Sequence, residues 1–439
     1  MIHISTSFAL LVVAIIILVC IAGSRLSGRL GVPTLFIFIM LGMLFGSDGI
    51  FKIPFGNFAL AEQVCSVALI FIMFYGGFGT RWSEAKPVAG RSILLSSAGV
   101  VLTAFLTGLF CHLVLKMALM EGMLLGAVLG STDAASVFSI LRSRKLNLKY
   151  GTASMLELES GSNDPFAYMM TVILLSAMTG SVSGGSAVLL LIRQLAFGLL
   201  TGAAVAWLVT WLLKRYAFYG EGFDTIFVFA AAIISYALAS QIGGNGYLSV
   251  YLTGIILGNQ ELKNQKALVG FFDAFTGMMQ MLLFFLLGLL AFPSQMPSIV
   301  LPAIAIALFL TFVARPAAVG LLLAPSKPPI GQYLVISWAG LRGAASIVFA
   351  IMATLSEGYM KYDIFHIVFC VVLFSIIFQG SLLPKVAEKC DMIDNSTDVM
   401  RTFSDYTGDM QIQFVQLPIG DNHPWKNRKI CEIEMLPGM

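Results

Sequence analysis

The residues most able to do chemistry lie together in one segment, residues 155–171. Within it, Glu159, Ser160, Asn163 and Asp164 precede a run apolar enough to cross a bilayer. Ionisable groups at that depth are costly, and they usually face a cavity or a partner on an ion or proton path. Residues four apart share one face of a helix, so Ser160 lies beside Asp164 and Glu159 beside Asn163.

Pro165 adds a further oxygen to this face. Proline has no N–H to donate to the carbonyl of Gly161, which is left one turn from Asp164. A carboxylate, a hydroxyl and a bare carbonyl are hard oxygen ligands, which suit a small cation stripped of part of its water. The segment therefore predicts a cation or proton site. The alternative is a short polar re-entrant loop without a ligand.

Two other segments carry similar glycine-flanked polar interruptions. Residues 130–138 read Gly-Ser-Thr-Asp-Ala-Ala-Ser-Val-Phe, and residues 340–348 read Gly-Leu-Arg-Gly-Ala-Ala-Ser-Ile-Val. Paired interruptions in the two halves of a chain are typical of a transporter's midplane site. If both helices unwind there, Asp133 would offset the positive ends of half-helices and Arg342 the negative ends. Chance similarity among small residues of packed membrane helices is the alternative.

The composition indicates which kind of secondary structure must position these groups. The chain has 439 residues, of which 58% are hydrophobic and 11% charged, so it is predicted to be an all-α polytopic membrane protein. A net charge of +3 gives no reason to expect a nucleic-acid partner. The six cysteines form no close pair and the four histidines are scattered, so no disulfide framework, zinc, haem or other cofactor is predicted.

Apolar runs long enough to span a membrane occur about thirteen times, and the second and ninth are short for a full crossing. They cover residues 7–24, 33–47, 60–79, 90–115, 120–141, 154–179, 186–213, 224–242, 246–259, 269–292, 297–322, 329–355 and 363–386. By this count the two interrupted spans, the fifth and the twelfth, run in opposite directions, as an inverted repeat requires.

Basic residues orient this arrangement. The first run has no cationic segment before it and Arg25 and Arg29 after it, so it is predicted to be an anchor that starts outside. Fourteen basic residues then fall in inside loops and three in outside loops, which places the carboxyl terminus in the cytoplasm. Arg193 and Arg315, which fall inside or at the edge of spans, are expected to extend to an interface.

The composition changes near the carboxyl-terminal end. Residues 1–386 form the predicted membrane domain, and residues 387–410 are polar and predicted to be a linker. Residues 411–439 begin with an alternating Gln-Ile-Gln-Phe-Val-Gln pattern, typical of a strand. Because so short a piece is too small for much of a core, we expect it to be the start of an incomplete cytoplasmic domain.

At these residues the chain resembles the NhaP-type branch of the monovalent cation/proton antiporters, over about residues 5–386. Four short motifs carry the resemblance: Asn163-Asp164, Thr132-Asp133, Glu159-Ser160 and the Gly-Leu-Arg-Gly-Ala segment that starts at Gly340. The resemblance implies an NhaA/NhaP-like fold of inverted repeats with two broken crossing helices. It also implies a dimerisation bundle and a core bundle, a homodimer in the lipid of a bacterial inner membrane, and elevator-like alternating access.

The resemblance also assigns roles to residues. Asp164 would bind the cation or the proton. Asp133, Ser160 and the Thr132 carbonyl would help to coordinate the cation. Asn163 belongs to the same ion- and proton-binding set, and Glu159 would form a structural ion pair with Arg342.

One departure from the family pattern concerns the ion. Tyr75 stands where many relatives carry an acidic residue before Gly76 and Gly77, so a coordinating acid is missing. The chain is nearest to the potassium/proton members, which carry a TrkA-C-like cytoplasmic domain. Residues 416–437 resemble the opening of that domain, which would bind a nucleotide or another small regulatory ligand.

The functional expectation is a one-for-one, electroneutral exchange of K⁺ for H⁺ that serves pH homeostasis. Exchange of Na⁺ or Li⁺ on the same fold is the nearest alternative. A channel would need a continuous pore, and no filter-like repeat is visible in the sequence. An enzyme is not expected, because no histidine in a span lies beside a candidate nucleophile and no phosphate-binding loop occurs.

Overall fold

The chain folds into helices that are mostly long and apolar. The computed structural model describes residues 6–30, 33–144, 146–181, 184–215, 222–262, 264–358 and 360–394. The helices are α1 Thr6–Leu30, α2 Thr34–Phe45, α3 Phe58–Gly79, α4 Trp82–Ala85, α5 Ala89–Leu113, α6 Leu119–Val128, α7 Ala134–Ser143, α8 Thr152–Met178, α9 Gly184–Arg215, α10 Phe223–Gln241, α11 Gly246–Gly258, α12 Gln265–Leu290, α13 Val300–Phe309, α14 Arg315–Leu323, α15 Ile330–Trp338, α16 Ala344–Leu355, α17 Ile364–Phe374 and α18 Ser381–Lys389.

Eight helical segments of the described chain are long and apolar enough to cross a membrane. They are built on α1, α3, α5, α9, α10, α12, the joined α13 and α14, and the joined α17 and α18. Four apolar helices are shorter, with 10 to 17 residues: α2, α6, α11 and α16. The chain is therefore a helical, multi-pass membrane protein. The predicted cytoplasmic domain and most of the predicted linker lie outside the described residues.

The two polar interruptions predicted from the sequence are confirmed. Residues 129–133 separate α6 from α7, and residues 339–343 separate α15 from α16. The two breaks touch, because the Asp133 N–H donates a hydrogen bond of 2.8 Å to the Leu341 carbonyl. Gly343 makes the approach possible, since a Cβ atom at this position would lie 2.4 Å from the Cβ of Asp133.

The helices divide into two bundles by their packing. One contains α5–α8 and α13–α18, and the other contains α1–α3 and α9–α12. The bundles meet mainly where α3 lies against α16 and where α8 lies against α9 and α11. Both broken helices and the polar segment of α8 therefore belong to the first bundle, which we call the site bundle. The second is called the flanking bundle.

Candidate ion-binding site

Asp164 lies on α8 at the wall of a cavity. The residue is 6% exposed and accepts a hydrogen bond from the hydroxyl of Ser131, in the break between α6 and α7. Pro165 follows it inside the helix, and the Pro165 carbonyl accepts a hydrogen bond of 2.8 Å from the Asn245 side chain at the start of α11. This helix is thus held in place on both sides of its carboxylate.

Hydrogen bonds join the first break to α8 through Thr132. The Ser160 hydroxyl donates to the Thr132 carbonyl at 2.7 Å, and the Asn163 amide donates to the Thr132 hydroxyl at 2.5 Å. The Thr132 N–H in turn lies 3.3 Å from the Asn163 side-chain oxygen. All three residues are buried. The structure therefore brings together three of the predicted site residues, of which Ser160 and Asn163 lie on the same helix as Asp164.

Asp133 occupies the start of α7. Its carboxylate accepts the Ser136 N–H at 3.1 Å and the Ser136 hydroxyl at 2.5 Å. It also touches Gly343, where α16 begins. Two helix amino termini therefore face one negative charge, which is a favourable arrangement because the N–H groups there carry partial positive charge. This is the placement that the sequence predicts, although both bonds from Ser136 make Asp133 a helix cap as well as a cavity residue.

Ser131 is a residue of this site that the sequence reasoning missed. Its hydroxyl contacts Asp164 and its carbonyl accepts a hydrogen bond of 3.0 Å from the Arg342 guanidinium. The available signal was its position one residue before the Thr132-Asp133 motif, in the same interruption. A small hydroxyl residue is common in packed membrane helices, so its type alone did not distinguish it.

A cavity of about 450 Å³ reaches the site between the two bundles. The site bundle contributes Thr132, Asp133, Ser160, Asp164 and Glu157 to its lining, and the flanking bundle contributes Tyr75, Asp273, Thr276 and Gln280. Its lining extends to Gly79, near the end of α3, and towards the first turns of α8 and α12. These helix ends adjoin Arg81 and Lys149, which lie in loops, and Lys266, which lies in the first turn of α12.

The predicted ion pair between Glu159 and Arg342 is wrong. The Glu159 carboxylate pairs with Arg315 of α14 through two contacts, Nη1 to Oε1 at 2.6 Å and Nη2 to Oε2 at 2.8 Å. The prediction that Arg315 extends to an interface is also wrong, since this residue is 4% exposed. A carboxylate so deeply buried requires a charged partner, and the two-point contact of a guanidinium provides it.

Arg342 has a different set of partners. Its guanidinium donates to the Ser131 carbonyl, just beyond the end of α6, and its N–H donates to the Ser375 hydroxyl at 3.0 Å. Carbonyl groups at the end of a helix carry partial negative charge, so a cation is stabilised there. The expectation that Arg342 offsets the negative end of a half-helix agrees with this contact. Ser375 begins a π-helical turn, Ser375–Gly380, between α17 and α18.

The arrangement suits the binding of one small monovalent charge. A buried carboxylate, the hydroxyl of Ser160 and the Thr132 carbonyl lie along one cavity wall. Such oxygen groups bind an alkali cation after it has lost part of its water, and the carboxylate alone binds a proton.

Comparisons with known proteins agree with this chemistry. Residues 14–389 match the family model described as "Sodium/hydrogen exchanger, transmembrane". The K(+)/H(+) antiporter NhaP of Alkalimonas amylolytica is 36% identical over 382 residues, which are 87% of this chain and 66% of that protein. The K(+)/H(+) antiporter NhaP2 of Shewanella oneidensis is 36% identical over 383 residues, which are 86% of this chain and 66% of that protein. The chain thus spans just under two thirds of the length of these relatives.

A solved structure shares the fold. The sodium proton antiporter MjNhaP1 of Methanocaldococcus jannaschii superposes with a TM-score of 0.76 at 22% identity. The superposition covers 88% of this chain and 99% of that structure. At this level of identity the likeness concerns the fold. The relatives found by sequence and by structure are named as antiporters, not as enzymes.

Proposed function

Because the chain belongs to the sodium/hydrogen exchanger family, we propose that it exchanges a monovalent cation, K⁺, for H⁺ across a bacterial inner membrane. The observation that carries the proposal is the position of Asp164. It is a buried carboxylate at the wall of a 450 Å³ cavity, in the same lining as Ser160 and Thr132. We assign Asp133 and Asn163 to the same set.

Exchange follows from competition for one carboxylate. A proton and an alkali cation neutralise the same negative charge on Asp164, so each excludes the other. If the site bundle moves only when that charge is neutralised, each crossing carries one of the two ions. The two concentration gradients then set the direction of net transport. Ser160 and the Thr132 carbonyl replace part of the water around the cation.

The neighbouring residues favour an electroneutral exchange. Asn163 is an amide and cannot carry a second proton. Glu159 holds two close contacts with the Arg315 guanidinium, so we assign it a structural ion pair and not the transported proton. We assign the transported proton to Asp164 alone, with Asp133 held at the start of α7 by Ser136, so one cation is exchanged for one proton.

The choice of K⁺ has two supports. Tyr75 lines the cavity where many relatives have an acidic residue, and the two relatives at 36% identity are named K(+)/H(+) antiporters. Exchange of Na⁺ or Li⁺ on the same fold is the alternative, favoured by the name of the sodium proton antiporter MjNhaP1.

The two bundles would have different roles in this exchange. The site bundle would be the moving core, and the flanking bundle would be the fixed dimerisation domain of a homodimer. In the topology of thirteen predicted spans, the amino terminus is outside and the carboxyl terminus is in the cytoplasm. The same topology has Arg81, Lys149 and Lys266 on the inside. The cavity between the bundles extends towards these residues, so it would face the cytoplasm. A cytoplasmic domain that starts within residues 411–439 would bind a nucleotide or another small regulatory ligand.

The test is ion exchange in everted membrane vesicles loaded with a pH-sensitive dye. Asp164→Asn should abolish the dye response to added K⁺, whereas Asp224→Asn should retain it. Asp224 is a matched control because it is bonded to Asn264 and is not among the described residues that line the cavity. Robust exchange by folded Asp164→Asn would refute the proposal. Challenges with Na⁺ and Li⁺ salts decide which cation is exchanged.

The pH dependence provides an independent check. Protons compete with the cation for Asp164, so the K⁺ concentration that gives half-maximal exchange should fall as the pH rises. A half-maximal concentration that does not change with pH would contradict a shared carboxylate.

A further inference from the structure

Residues 291–299, between α12 and α13, are the last segment of the chain that passes from the flanking bundle to the site bundle. We call this segment the connector. The cavity extends towards the first turns of α12, so the connector lies at the opposite end of that helix. Because the chain is continuous here, a displacement of one bundle against the other must be accommodated partly by the connector.

Side chains from both bundles bind the connector. In the site bundle, His366 in the first turn of α17 accepts the Phe292 N–H at its Nε2 atom, at 3.1 Å. In the flanking bundle, the Asp48 carboxylate in the loop after α2 accepts the Ser294 N–H at 3.0 Å and the Ser294 hydroxyl at 2.5 Å. The Phe292 bond therefore fastens the connector to the bundle that holds Asp164.

The hydrogen bonds of His366 define its charge state. Its Nδ1 atom lies 2.6 Å from the Asp363 carboxylate, which can only accept, so Nδ1 carries the hydrogen. Its Nε2 atom accepts the Phe292 N–H and therefore carries none. The imidazole is thus neutral in this arrangement. A protonated imidazole has an N–H at both nitrogens, so its second N–H would point at the Phe292 N–H and the bond would be lost.

His366 has a route to water although its own side chain is 3% exposed. The ring lies between those of Phe292 and Phe365, with centroid distances of 5.9 Å and 5.0 Å. Its partner Asp363 has a side chain that is 37% exposed and so connects the imidazole to solvent. Histidine is the side chain whose charge ordinarily changes between about pH 5 and 8.

The charged groups around this end of α17 are mostly acidic. Asp48, across the connector, interacts electrostatically with His366. Glu121, at the start of α6, accepts the Tyr362 N–H at 2.8 Å, and the Lys361 ammonium lies 5.7 Å from the centre of the Tyr362 ring. With Asp363, three carboxylates thus surround the imidazole and one ammonium opposes them, so added positive charge on the ring is stabilised.

We propose that His366 is a regulatory proton-binding site, whose protonation releases the connector from α17 and accelerates exchange when the medium outside the cell becomes acidic. In the topology of thirteen predicted spans the connector and the start of α17 are outside. The site is distinct from Asp164, which binds the transported proton. This inference rests on the proposed exchange and on that topology.

Transport from right-side-out vesicles provides the first test. The vesicles contain radioactive Rb⁺ and saturating K⁺ at a fixed internal pH, and saturating K⁺ outside limits the competition of protons for Asp164. In the unmodified protein, the initial rate of Rb⁺ release should rise about three- to tenfold between about pH 8 and pH 6 outside, as expected for the loss of one hydrogen bond. His366→Gln should show no such rise, because its amide oxygen accepts the Phe292 N–H and does not titrate.

Two controls separate this response from other effects of pH. His112→Gln removes another imidazole, which contacts the Met117 carbonyl at 2.8 Å, and this variant should respond as the unmodified protein does. In everted vesicles the connector faces the lumen, so a change of bath pH should affect His366→Gln and the unmodified protein equally.

Hydrogen–deuterium exchange of the unmodified protein provides a second test, which does not depend on a variant. After correction for the chemical exchange rate, the protection of the connector amides should fall about three- to tenfold between about pH 8 and pH 6. Protection that is the same at both pH values would overturn the proposal. So would an equal response of His366→Gln and the unmodified protein to external pH.

The two proposals fail in different ways. Exchange by folded Asp164→Asn would refute the proposed function. Loss of exchange in Asp164→Asn, together with a normal external pH response in His366→Gln, would refute only the regulatory site.

Discussion

Replacement of Arg315 by methionine tests the charge arrangement behind the ion site. Methionine keeps much of the volume of the arginine stem but removes the guanidinium. Glu159, which is 1% exposed, would lose both of its close contacts, at 2.6 Å and 2.8 Å. Removing one partner of a buried ion pair costs about 3–5 kcal/mol.

Arg342 places the expected loss near the lower end of this range. Its guanidinium is close enough to interact electrostatically with Glu159, so some compensation remains after Arg315 is removed. We expect Arg315→Met to lower the free energy of unfolding by about 3 kcal/mol. The double variant Glu159→Gln/Arg315→Met should recover part of that loss, because it removes the unpaired Glu159 charge while Arg342 keeps its hydrogen bond to the Ser131 carbonyl.

The assay is reversible unfolding of the purified protein in mixed micelles, followed by tryptophan fluorescence. Arg193→Met is the matched control, since Arg193 donates one hydrogen bond to the Ile242 carbonyl in an exposed setting. We expect this variant to change the unfolding free energy by less than about 1 kcal/mol. The reasoning would be refuted if Arg315→Met were as stable as the control. A rescue of Arg342→Met, but not of Arg315→Met, by Glu159→Gln would restore the pairing that the sequence suggested.

Two further predictions concern the fold around the site. Gly343→Ala should lower the unfolding free energy by about 1–3 kcal/mol and impair exchange, because the added Cβ would overlap Asp133. Gly270→Ala is the control, since no neighbouring atom lies within 4 Å of its Cβ position. This control should be neutral in both measurements. Asp363→Ala should cost about 0.5–2 kcal/mol near neutral pH, because Asp363 caps α17 through the His366 N–H and also binds the imidazole. Burial acts to raise the pKa of Asp363, but the hydrogen bonds from His366 outweigh it and hold the pKa below its usual value. The difference in unfolding free energy between Asp363→Ala and the unmodified protein should therefore disappear as the pH falls through this lowered pKa. Unfolding curves at neutral and strongly acidic pH measure it, and a difference that persists in acid would contradict the assignment.

Local sequence signals predicted the two broken helices well. Glycines and polar residues inside apolar runs disfavour a continuous helix, and the breaks fall at residues 129–133 and 339–343. The placement of Asp133 at the start of a half-helix follows from the same signals. These features depend on neighbours in the chain, so a single sequence contains the necessary information.

The pairing of charged residues on distant helices was harder to predict from the sequence. Three arginines fall in or near spans, and the sequence does not indicate which one approaches Glu159. The partner is decided by the packing of α14 against its neighbours in the site bundle, which brings Arg315 to α8, 156 positions earlier in the chain. The contribution of α12 to the cavity lining was missed for a related reason. Asp273 is one acid in a long apolar run, and only the fold places it in the lining of the cavity that also contains Asp164.

The main-chain hydrogen bond between Asp133 and Leu341 has a consequence for the energetics of a transport cycle. It fastens the two interrupted segments to each other, so in the proposed exchange they would keep one relative arrangement as the site bundle moved. A site whose geometry did not change in that movement would have the same intrinsic dissociation constant for the cation at both faces. The proposed exchange would then run in reverse as readily as forwards when the imposed ion gradients are reversed.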